Sequence, residues 1–272
     1  MNIEGQIAVV TGAASGIGKA ICLELARRKA KAIALVDRNP AVNDLVPEIQ
    51  SIFGQVIAPA FVGDTTDATF RAQVYGTLER YYGVPTICIP AAGITADALS
   101  VKLDKEFGRA TIYPQDKFEL IMKVNLMAPI YWTMEMISRI AQYRWQHQLK
   151  GWHPDEGVQG VAVMIGSVSS RGIKGQVSYS TAKAGLEGAA ATIAQEGIFY
   201  GVRCLIVHPG FTDTPMVQAM GQNVIETKVL PMTRLRRLIK PEEIADTVCF
   251  AVSNDAVSGA LWPDGGWQPT PA

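Results

Sequence analysis

The first eighteen residues contain the pattern that most restricts how this chain can fold. An apolar run of strand length at residues 6–11 leads directly into a turn with Gly12, Gly16 and Gly18, and a helical pattern of apolar residues follows. Such a strand, turn and helix form a phosphate cradle, because the helix N-terminus supplies N–H donors and glycine lets the backbone approach a pyrophosphate. The pattern predicts dinucleotide binding, with a tight structural turn as the alternative.

The second apolar run, residues 32–36, ends at Asp37. Asp37 follows the last glycine of the turn by about 20 residues, the spacing at which a carboxylate accepts hydrogen bonds from the adenosine ribose. A carboxylate there repels a 2′-phosphate and favours NAD over NADP, whereas the neighbouring Arg38 could pair with that phosphate. We expect NAD. The alternative for Asp37 is a turn residue at a strand end.

Strand-like and helical patterns alternate along the rest of the chain. This alternation predicts an α/β fold of Rossmann type, a doubly wound parallel sheet in a three-layer α/β/α arrangement. The predicted strands are residues 6–11, 32–36, 55–61, 86–90, 160–166, 202–207 and 258–263, and the predicted helices include residues 41–52, 68–82, 117–143 and 241–252. Ligands of such sheets bind beyond the carboxyl ends of the strands.

The composition agrees with a single domain over residues 1–272. Of the 272 residues 48% are hydrophobic, which is enough for a substantial core. The 25 basic and 25 acidic residues balance, which argues against nucleic acid or an anionic membrane as the main partner. No apolar run approaches the length of a membrane span.

The cysteines and histidines predict no metal site. Cys22, Cys88, Cys204 and Cys249 are scattered through helical and strand-like apolar patterns, so we expect small buried residues. The three histidines are too few and too far apart to suggest zinc. Because the N-terminal residues do not read as a secretory leader either, a reducing, cytoplasmic location is expected.

Tyr179 and Lys183 are the main candidates for acid–base chemistry. They stand four residues apart in a helical pattern, so both side chains project from one face. A fixed ammonium group favours the phenolate, and we therefore expect it to lower the pKa of Tyr179 from its reference value of about 10. Ser167 follows the strand at 160–166 and can aim a hydroxyl at a bound carbonyl. The alternatives are a chance Tyr–Lys pair and a serine that only caps a turn.

Other residues stand at predicted strand ends or in unusual positions. Asp64 and Gly93 follow the third and fourth strands, and Asp64 either touches adenine or caps the next helix. Asn125 lies inside a predicted helix, where asparagine is unfavourable unless its amide finds a partner. We expect the long connection 94–116 to lie near the substrate. The segment 144–159 enters its strand from the opposite edge of the sheet, so we expect its aromatic residues to pack against the protein or to contact another subunit.

Residues 211–240 are predicted to form a lid over the substrate. Met216 and Met220 suit an adaptable apolar pocket. Arg234, Arg236 and Arg237 suit an anionic group. The alternative is a mobile amphipathic flap with solvated arginines.

Together these motifs resemble the short-chain dehydrogenase/reductase family over essentially the whole chain. The matching residues are 11–18 for the nucleotide motif, Tyr179 and Lys183 for the catalytic pair, Ser167 for the serine, Asn125 for the helix asparagine, Pro209, Gly210 and Thr214 for the nicotinamide motif, and 241–245 and 264–266 for the C-terminal pattern. Residues 90–93 read Pro-Ala-Ala-Gly where the family usually has Asn-Asn-Ala-Gly, and Leu205 replaces a usual asparagine.

The resemblance implies an NAD-dependent oxidoreductase that interconverts a secondary alcohol and a ketone by hydride transfer. In it Tyr179 moves the hydroxyl proton, Ser167 hydrogen-bonds the substrate oxygen, Lys183 holds the nicotinamide ribose, and Asn125 fixes a water that links Lys183 to solvent. The implied cofactor site comprises Gly12, Ser15, Gly16, Ile17, Gly18, Asp37, Arg38, Asp64, Gly93, Tyr179, Lys183, Pro209, Gly210, Thr212 and Thr214.

The resemblance says little about the substrate, but the predicted lid suits a cyclic or aliphatic hydroxy compound, with an acidic or acyl-thioester group near Arg234, Arg236 or Arg237 as one option. The implied assembly is a homo-oligomer, either a tetramer or a dimer. Two alternatives remain at this point. One is a regulatory protein that senses NAD(P) on the same fold without catalysis, and the other is a nucleotide-sugar epimerase or dehydratase, for which the C-terminal part leaves little room.

Overall fold

A parallel sheet forms the centre of the computed structural model, which describes residues 1–54 and 56–268. The strands are β1 (Ile7–Thr11), β2 (Ala32–Asp37), β3 (Ala60–Val62), β4 (Ile87–Pro90), β5 (Val101–Leu103), β6 (Ala110–Ile112), β7 (Gly160–Ile165), β8 (Val202–Val207) and β9 (Ala260–Leu261). The helices are α1 (Gly16–Arg27), α2 (Leu45–Phe53), α3 (Ala68–Tyr81), α4 (Gln115–Met122), α5 (Ala128–Gln146), α6 (Val177–Gly197), α7 (Pro215–Gln218), α8 (Gln222–Val224) and α9 (Pro241–Ser253).

The central sheet has seven strands in the order β3-β2-β1-β4-β7-β8-β9, and each neighbouring pair is parallel. The order reverses between β1 and β4, which opens a crevice beyond their carboxyl ends. The predicted Rossmann-type, doubly wound parallel sheet is therefore confirmed. β5 and β6 form a separate antiparallel hairpin.

Helices cover both faces of the sheet, so the strands are apolar on both sides. In β1, Ala8 and Val10 belong to the core beneath α1 and α9, whereas Ile7 and Val9 belong to the core beneath α3, α5 and α6. Burial on both faces explains why the strands appear in the sequence as continuous apolar runs. All four cysteines are free and buried, as expected.

Several element boundaries differ from the sequence prediction. The helix predicted at 117–143 is divided by a π-helical turn at Lys123–Met127, which contains Asn125. The connection 94–116 contains the β5–β6 hairpin. The strand predicted at 55–61 is the shorter β3, and residue 55 lies outside the described residues. Among the residues described, no helix combines the length and apolarity that crossing a membrane requires.

Candidate active site

A cleft of about 470 Å³ opens beyond the carboxyl ends of β1, β2, β4, β7 and β8. Its walls bring together all but one of the residues predicted for the site. Those on the cleft are Gly12, Ser15, Gly16, Ile17, Gly18, Asp37, Arg38, Asp64, Gly93, Ser167, Tyr179, Lys183, Pro209, Gly210, Thr212 and Thr214. Residues more than 200 positions apart in sequence meet here because parallel strands end at one edge of the sheet.

The turn between β1 and α1 has the form of a phosphate cradle. Gly12 has φ +71, and a Cβ there would lie 2.8 Å from the Ala92 amide nitrogen. A Cβ on Gly18 would lie 2.1 Å from the Gly12 carbonyl oxygen, so only glycine permits this approach. Within the described structure the Ser15 side chain does not cap α1, which leaves first-turn N–H groups available. These features fit the pyrophosphate of a dinucleotide.

Asp37 lies at the end of β2 and organises the same turn. Its Oδ2 accepts a hydrogen bond from the Ala14 amide at 3.0 Å, and its Oδ1 accepts one from the Asn39 amide at 2.9 Å. Each oxygen keeps a further lone pair for a ribose hydroxyl. Arg38 is exposed on the same wall of the cleft. The structure thus keeps both the carboxylate and the guanidinium beside the expected ribose position.

Asp64, which follows β3, and the segment after β4 both line the cleft. Asp64 accepts hydrogen bonds from the amide and hydroxyl of Thr66, both at 2.8 Å, and Asp67 rather than Asp64 caps α3. The departure from the family at residues 90–93 does not break the link to β1, because the Ala92 amide donates to Thr11 Oγ1 at 3.0 Å.

Tyr179 and Lys183 project from α6 into the cleft, but their pKa values differ from the sequence prediction. The ammonium Nζ lies 5.6 Å from the phenol ring centroid and donates to the Ile165 carbonyl at 2.7 Å. Burial raises the pKa of Tyr179 to about 12, against a smaller lowering by the Ser167 hydroxyl, while Asp97 raises it further. Burial also lowers the pKa of Lys183 to about 8. The pKa of Tyr179 is thus raised where the sequence predicted that Lys183 would lower it, because burial outweighs the hydrogen bond from Ser167 and the Lys183 ammonium is not among the groups that shift it.

Asn125 is the one predicted site residue that does not reach the cleft wall in the described structure. It is 0% exposed, and its amide spans the backbone of Ile94, accepting from the nitrogen at 2.9 Å and donating to the oxygen at 2.8 Å. A Cβ on Gly93 would lie 3.5 Å from Asn125 Oδ1 and 3.9 Å from Lys183 Nζ. Asn125 therefore holds the segment after β4 beside Lys183, and the water link implied by the resemblance stays a prediction.

Asp97 and Gln176 are among the cleft residues that the sequence analysis did not single out. Asp97 Oδ2 accepts a hydrogen bond from Gln176 Nε2 at 2.7 Å, which joins the segment after β4 to the start of α6 on the cleft wall. The backbone supports this link, because the Ala98 amide donates to the Gly175 carbonyl at 2.8 Å. Gln176 stands three residues before Tyr179, but this spacing does not identify its partner Asp97, which is 79 residues away in the sequence.

The predicted lid contributes apolar side chains to the cleft but not its arginines. Met216, Val217 and Met220 line the cleft beside Phe211. Arg237 instead forms an ion pair with Glu243 at 2.6 Å. Among the described residues that line the cleft, none comes from 144–159, in agreement with the prediction that this segment lies away from the ligand.

Comparison with known proteins matches the chain to one family. The family model described as short chain dehydrogenase matches residues 6–224. A 3-oxoacyl-(acyl-carrier-protein) reductase of Thermotoga maritima is 30% identical over 256 residues, covering 94% of this chain and 94% of the relative. An acetoacetyl-CoA reductase of Rhizobium meliloti is 31% identical, covering 92% of each chain. A (3R)-3-hydroxyacyl-CoA dehydrogenase of Canis lupus familiaris is 28% identical, covering 96% of this chain and 95% of the relative.

These relatives carry the names of oxidoreductases. The two alternatives from the sequence, a non-catalytic NAD(P) sensor and a nucleotide-sugar epimerase or dehydratase, find no support in them.

Proposed function

The chain belongs to the short-chain dehydrogenase/reductase family, and from this membership we propose that it interconverts a 3-oxoacyl and a 3-hydroxyacyl thioester with a nicotinamide cofactor. Membership makes it an oxidoreductase acting on CH–OH groups. The observation that carries the proposal is the meeting of Ser167, Tyr179 and Lys183 in the same cleft as the glycine-rich cradle. The thioester class is supported by the names of the three relatives.

The side chains of the cleft account for the proton in this reaction. The nicotinamide, when bound, supplies or accepts the hydride. With a pKa near 12, Tyr179 is protonated at neutral pH and ready to donate its proton to the carbonyl oxygen during reduction. Ser167 Oγ donates a hydrogen bond to the same oxygen as negative charge develops on it. The Lys183 ammonium stabilises the phenolate that remains.

We propose NAD as the preferred cofactor, with NADP second. The support is the Asp37 carboxylate at the end of β2, which would lie against a 2′-phosphate. We also propose that residues 211–240 cover the substrate within a single domain, and that Met216, Val217 and Met220 contact the acyl chain. The four free cysteines agree with the proposed cytoplasmic location.

Turnover of a defined thioester tests the proposal. The purified protein is mixed with acetoacetyl-CoA and either NADH or NADPH, and loss of absorbance at 340 nm is followed. We expect reduction with wild-type protein and a loss of about 10²–10⁴-fold in kcat for Tyr179→Phe, since general acid catalysis contributes that much. The dissociation constant of the cofactor, measured by fluorescence, should change little. A variant with near-normal turnover would remove Tyr179 from the proposed role.

A further inference from the structure

His208 is a buried histidine that neither the cradle nor the proposed proton transfer uses. It follows β8 directly and is 0% exposed. Its ring stacks on the Trp262 indole with centroids 3.9 Å apart and an angle of 8° between planes, and the Arg171 guanidinium lies 4.1 Å from the same indole. Burying an imidazole is costly unless its nitrogens find partners. Its polar contacts therefore indicate what it does.

The first polar contact of His208 is the backbone of Ser167. Nδ1 lies 3.1 Å from the Ser167 amide nitrogen and 3.1 Å from the Ser167 carbonyl oxygen. A Cβ on the preceding Gly166 would lie 2.4 Å from Nδ1, so the glycine before Ser167 is what lets the ring reach this backbone. The ring thus touches the one residue of the cleft whose hydroxyl is proposed to meet the substrate oxygen.

A nearby carboxylate favours one of the two positions for the ring proton. Nε2 makes no hydrogen bond within the described residues, and the nearest carboxylate oxygen is Glu187 Oε1 at 3.5 Å. A lone pair on Nε2 would face this carboxylate, whereas an N–H there is attracted to it, so the neutral ring carries its proton on Nε2. Nδ1 is then an acceptor, and its partner is the Ser167 N–H rather than the carbonyl.

We propose that His208 is a positioning residue for the reaction, in which Nδ1 accepts the Ser167 N–H and holds the Ser167 hydroxyl toward the substrate oxygen beside Tyr179. The inference rests on the proposed function, because it needs Ser167 to bond the reacting carbonyl. The Ser167 Oγ position matters on a small scale, since a displacement of about 1 Å at a reacting group can cost about 100-fold in rate.

The charged groups around the ring keep it neutral. Burial lowers the pKa of His208 most, the Ser167 carbonyl and Glu187 of α6 raise it, and Lys183 of α6 and Arg171 lower it. The ring is therefore neutral at pH 7, and it takes up a proton only at a pH below the ordinary histidine pKa of about 6.5. A proton on Nδ1 removes the acceptor for the Ser167 N–H, so the rate of reduction should fall on the acid side.

The tautomer is measured directly by ¹⁵N NMR of protein labelled at histidine, at pH 7.5. Only His147, His153 and His208 contribute signals, and the spectrum of His208→Asn identifies the third. We expect a protonated Nε2 and an unprotonated Nδ1 at His208. A protonated Nδ1 would overturn the proposal whatever the kinetics. This measurement needs no turnover, so it separates a failure of this inference from a failure of the proposed function, which absent reduction of acetoacetyl-CoA would reveal.

The kinetic test compares three variants of His208 with acetoacetyl-CoA and NADH. Asparagine brings an amide oxygen near the position of Nδ1, whereas glutamine reaches toward Nε2 and alanine reaches neither. We expect His208→Gln and His208→Ala to lower kcat by about tenfold or more, because the Ser167 hydroxyl would be displaced from the substrate oxygen. The dissociation constant of the cofactor should stay within about twofold of the wild-type value. His208→Asn should keep about half of the wild-type kcat and lose the fall in rate on the acid side.

Ile206→Ala provides the control for lost packing. Ile206 lies two residues earlier in β8, is 3% exposed and packs beside Gly166 without offering a polar atom to Ser167. The Ile206→Ala variant should have a lower melting temperature than the wild-type protein but a kcat near the wild-type value. If kcat instead follows the melting temperature across all four variants, or if His208→Asn is as slow as His208→Ala, His208 is only a packing residue and the inference is rejected.

Discussion

At the scale of single residues, burial sets the protonation states of the proposed acid–base pair. Lys183 is 5% exposed and Tyr179 is half-buried on the cleft wall, and the loss of water around each side chain disfavours its charged form. The phenol therefore holds its proton more tightly and the ammonium holds its proton less tightly than in solution. Tyr179 is therefore suited to donate a proton, and the neighbouring Lys183 is charged only below about pH 8.

The pH dependence of reduction follows from these two groups. Tyr179 stays protonated up to about pH 12, while Lys183 loses its charge as the pH rises through about 8. Because the ammonium stabilises the phenolate formed on proton transfer, kcat/KM for reduction should be level from pH 6.5 to 7.5 and decrease above pH 8. Lys183→Arg should remove this decrease, since a guanidinium does not deprotonate in this range. Rates that rise between pH 8 and pH 10 in the wild-type protein would contradict the assignment.

Cofactor choice depends on two neighbouring residues with opposite charge. Asp37→Ala removes the carboxylate that faces a 2′-phosphate, so we expect kcat/KM with NADPH to rise relative to NADH by about tenfold, the effect of about 1.4 kcal/mol. Arg38→Ala is the matched control and should change the ratio in the other direction. Steady-state kinetics with both cofactors measures the ratio. An unchanged ratio in Asp37→Ala would remove this residue from ribose recognition.

At the scale of elements, the β1–α1 turn tolerates no side chain at Gly18. A Cβ there meets the Gly12 carbonyl at 2.1 Å, and backbone cannot move aside as a side chain can. We expect Gly18→Ala to cost about 1–3 kcal/mol of unfolding free energy and to weaken cofactor binding about tenfold or more, because the cradle must open. Urea unfolding and fluorescence titration measure the two effects.

Gly76→Ala is the control for that substitution. Gly76 also lies in a helix, α3, and a Cβ there has open space within 4 Å. Since alanine is the better helix former by about 1 kcal/mol, this variant should be at least as stable as wild type and bind the cofactor normally. Equal effects of both substitutions would mean that helix propensity, and not the close approach, explains the cost at Gly18.

At the scale of the whole molecule, we expect the exposed apolar face that begins at Met127, just before α5, and continues along α5 to contact a second copy. Met127, Tyr131 and Met134 follow one another at helical spacing and are 46–47% exposed. We expect light scattering to show a dimer or a tetramer, and Met134→Glu to shift it toward smaller species, because burying an unpaired carboxylate is costly. Ile52→Glu, at an exposed position of α2 on the other layer, should leave the assembly unchanged. A wild-type monomer would contradict the predicted oligomer.

Much of the architecture was predictable because its signals are local. Fully buried strands such as β1 and β8 are apolar on both faces, and the glycine-rich turn between a strand and a helix has few other uses. Candidate site residues such as Asp37, Gly93 and Ser167 could be proposed because each stands at or just after the carboxyl end of a strand, and parallel strands end at one edge. Tyr179 and Lys183 were found because four residues make one helical turn.

The remaining features depend on contacts between distant parts of the chain. Asn125 was noticed for its unfavourable helical position, but its partner Ile94 is 31 residues away and became known only from the fold. The contact of His208 with Ser167 spans 41 residues, and the link of Asp97 to Gln176 spans 79. None of these has a periodicity or spacing that a sequence displays.

The sequence by itself thus determined the fold family, the position of the cradle and the identity of the proposed acid–base pair. The tertiary structure alone decided how burial shifts the pKa of each member of that pair. The physical reason is that a pKa depends on how much water the fold removes from around a side chain, and this removal is the largest cause of both shifts. A charge four residues away predicted a lowered phenol pKa, whereas burial raises it.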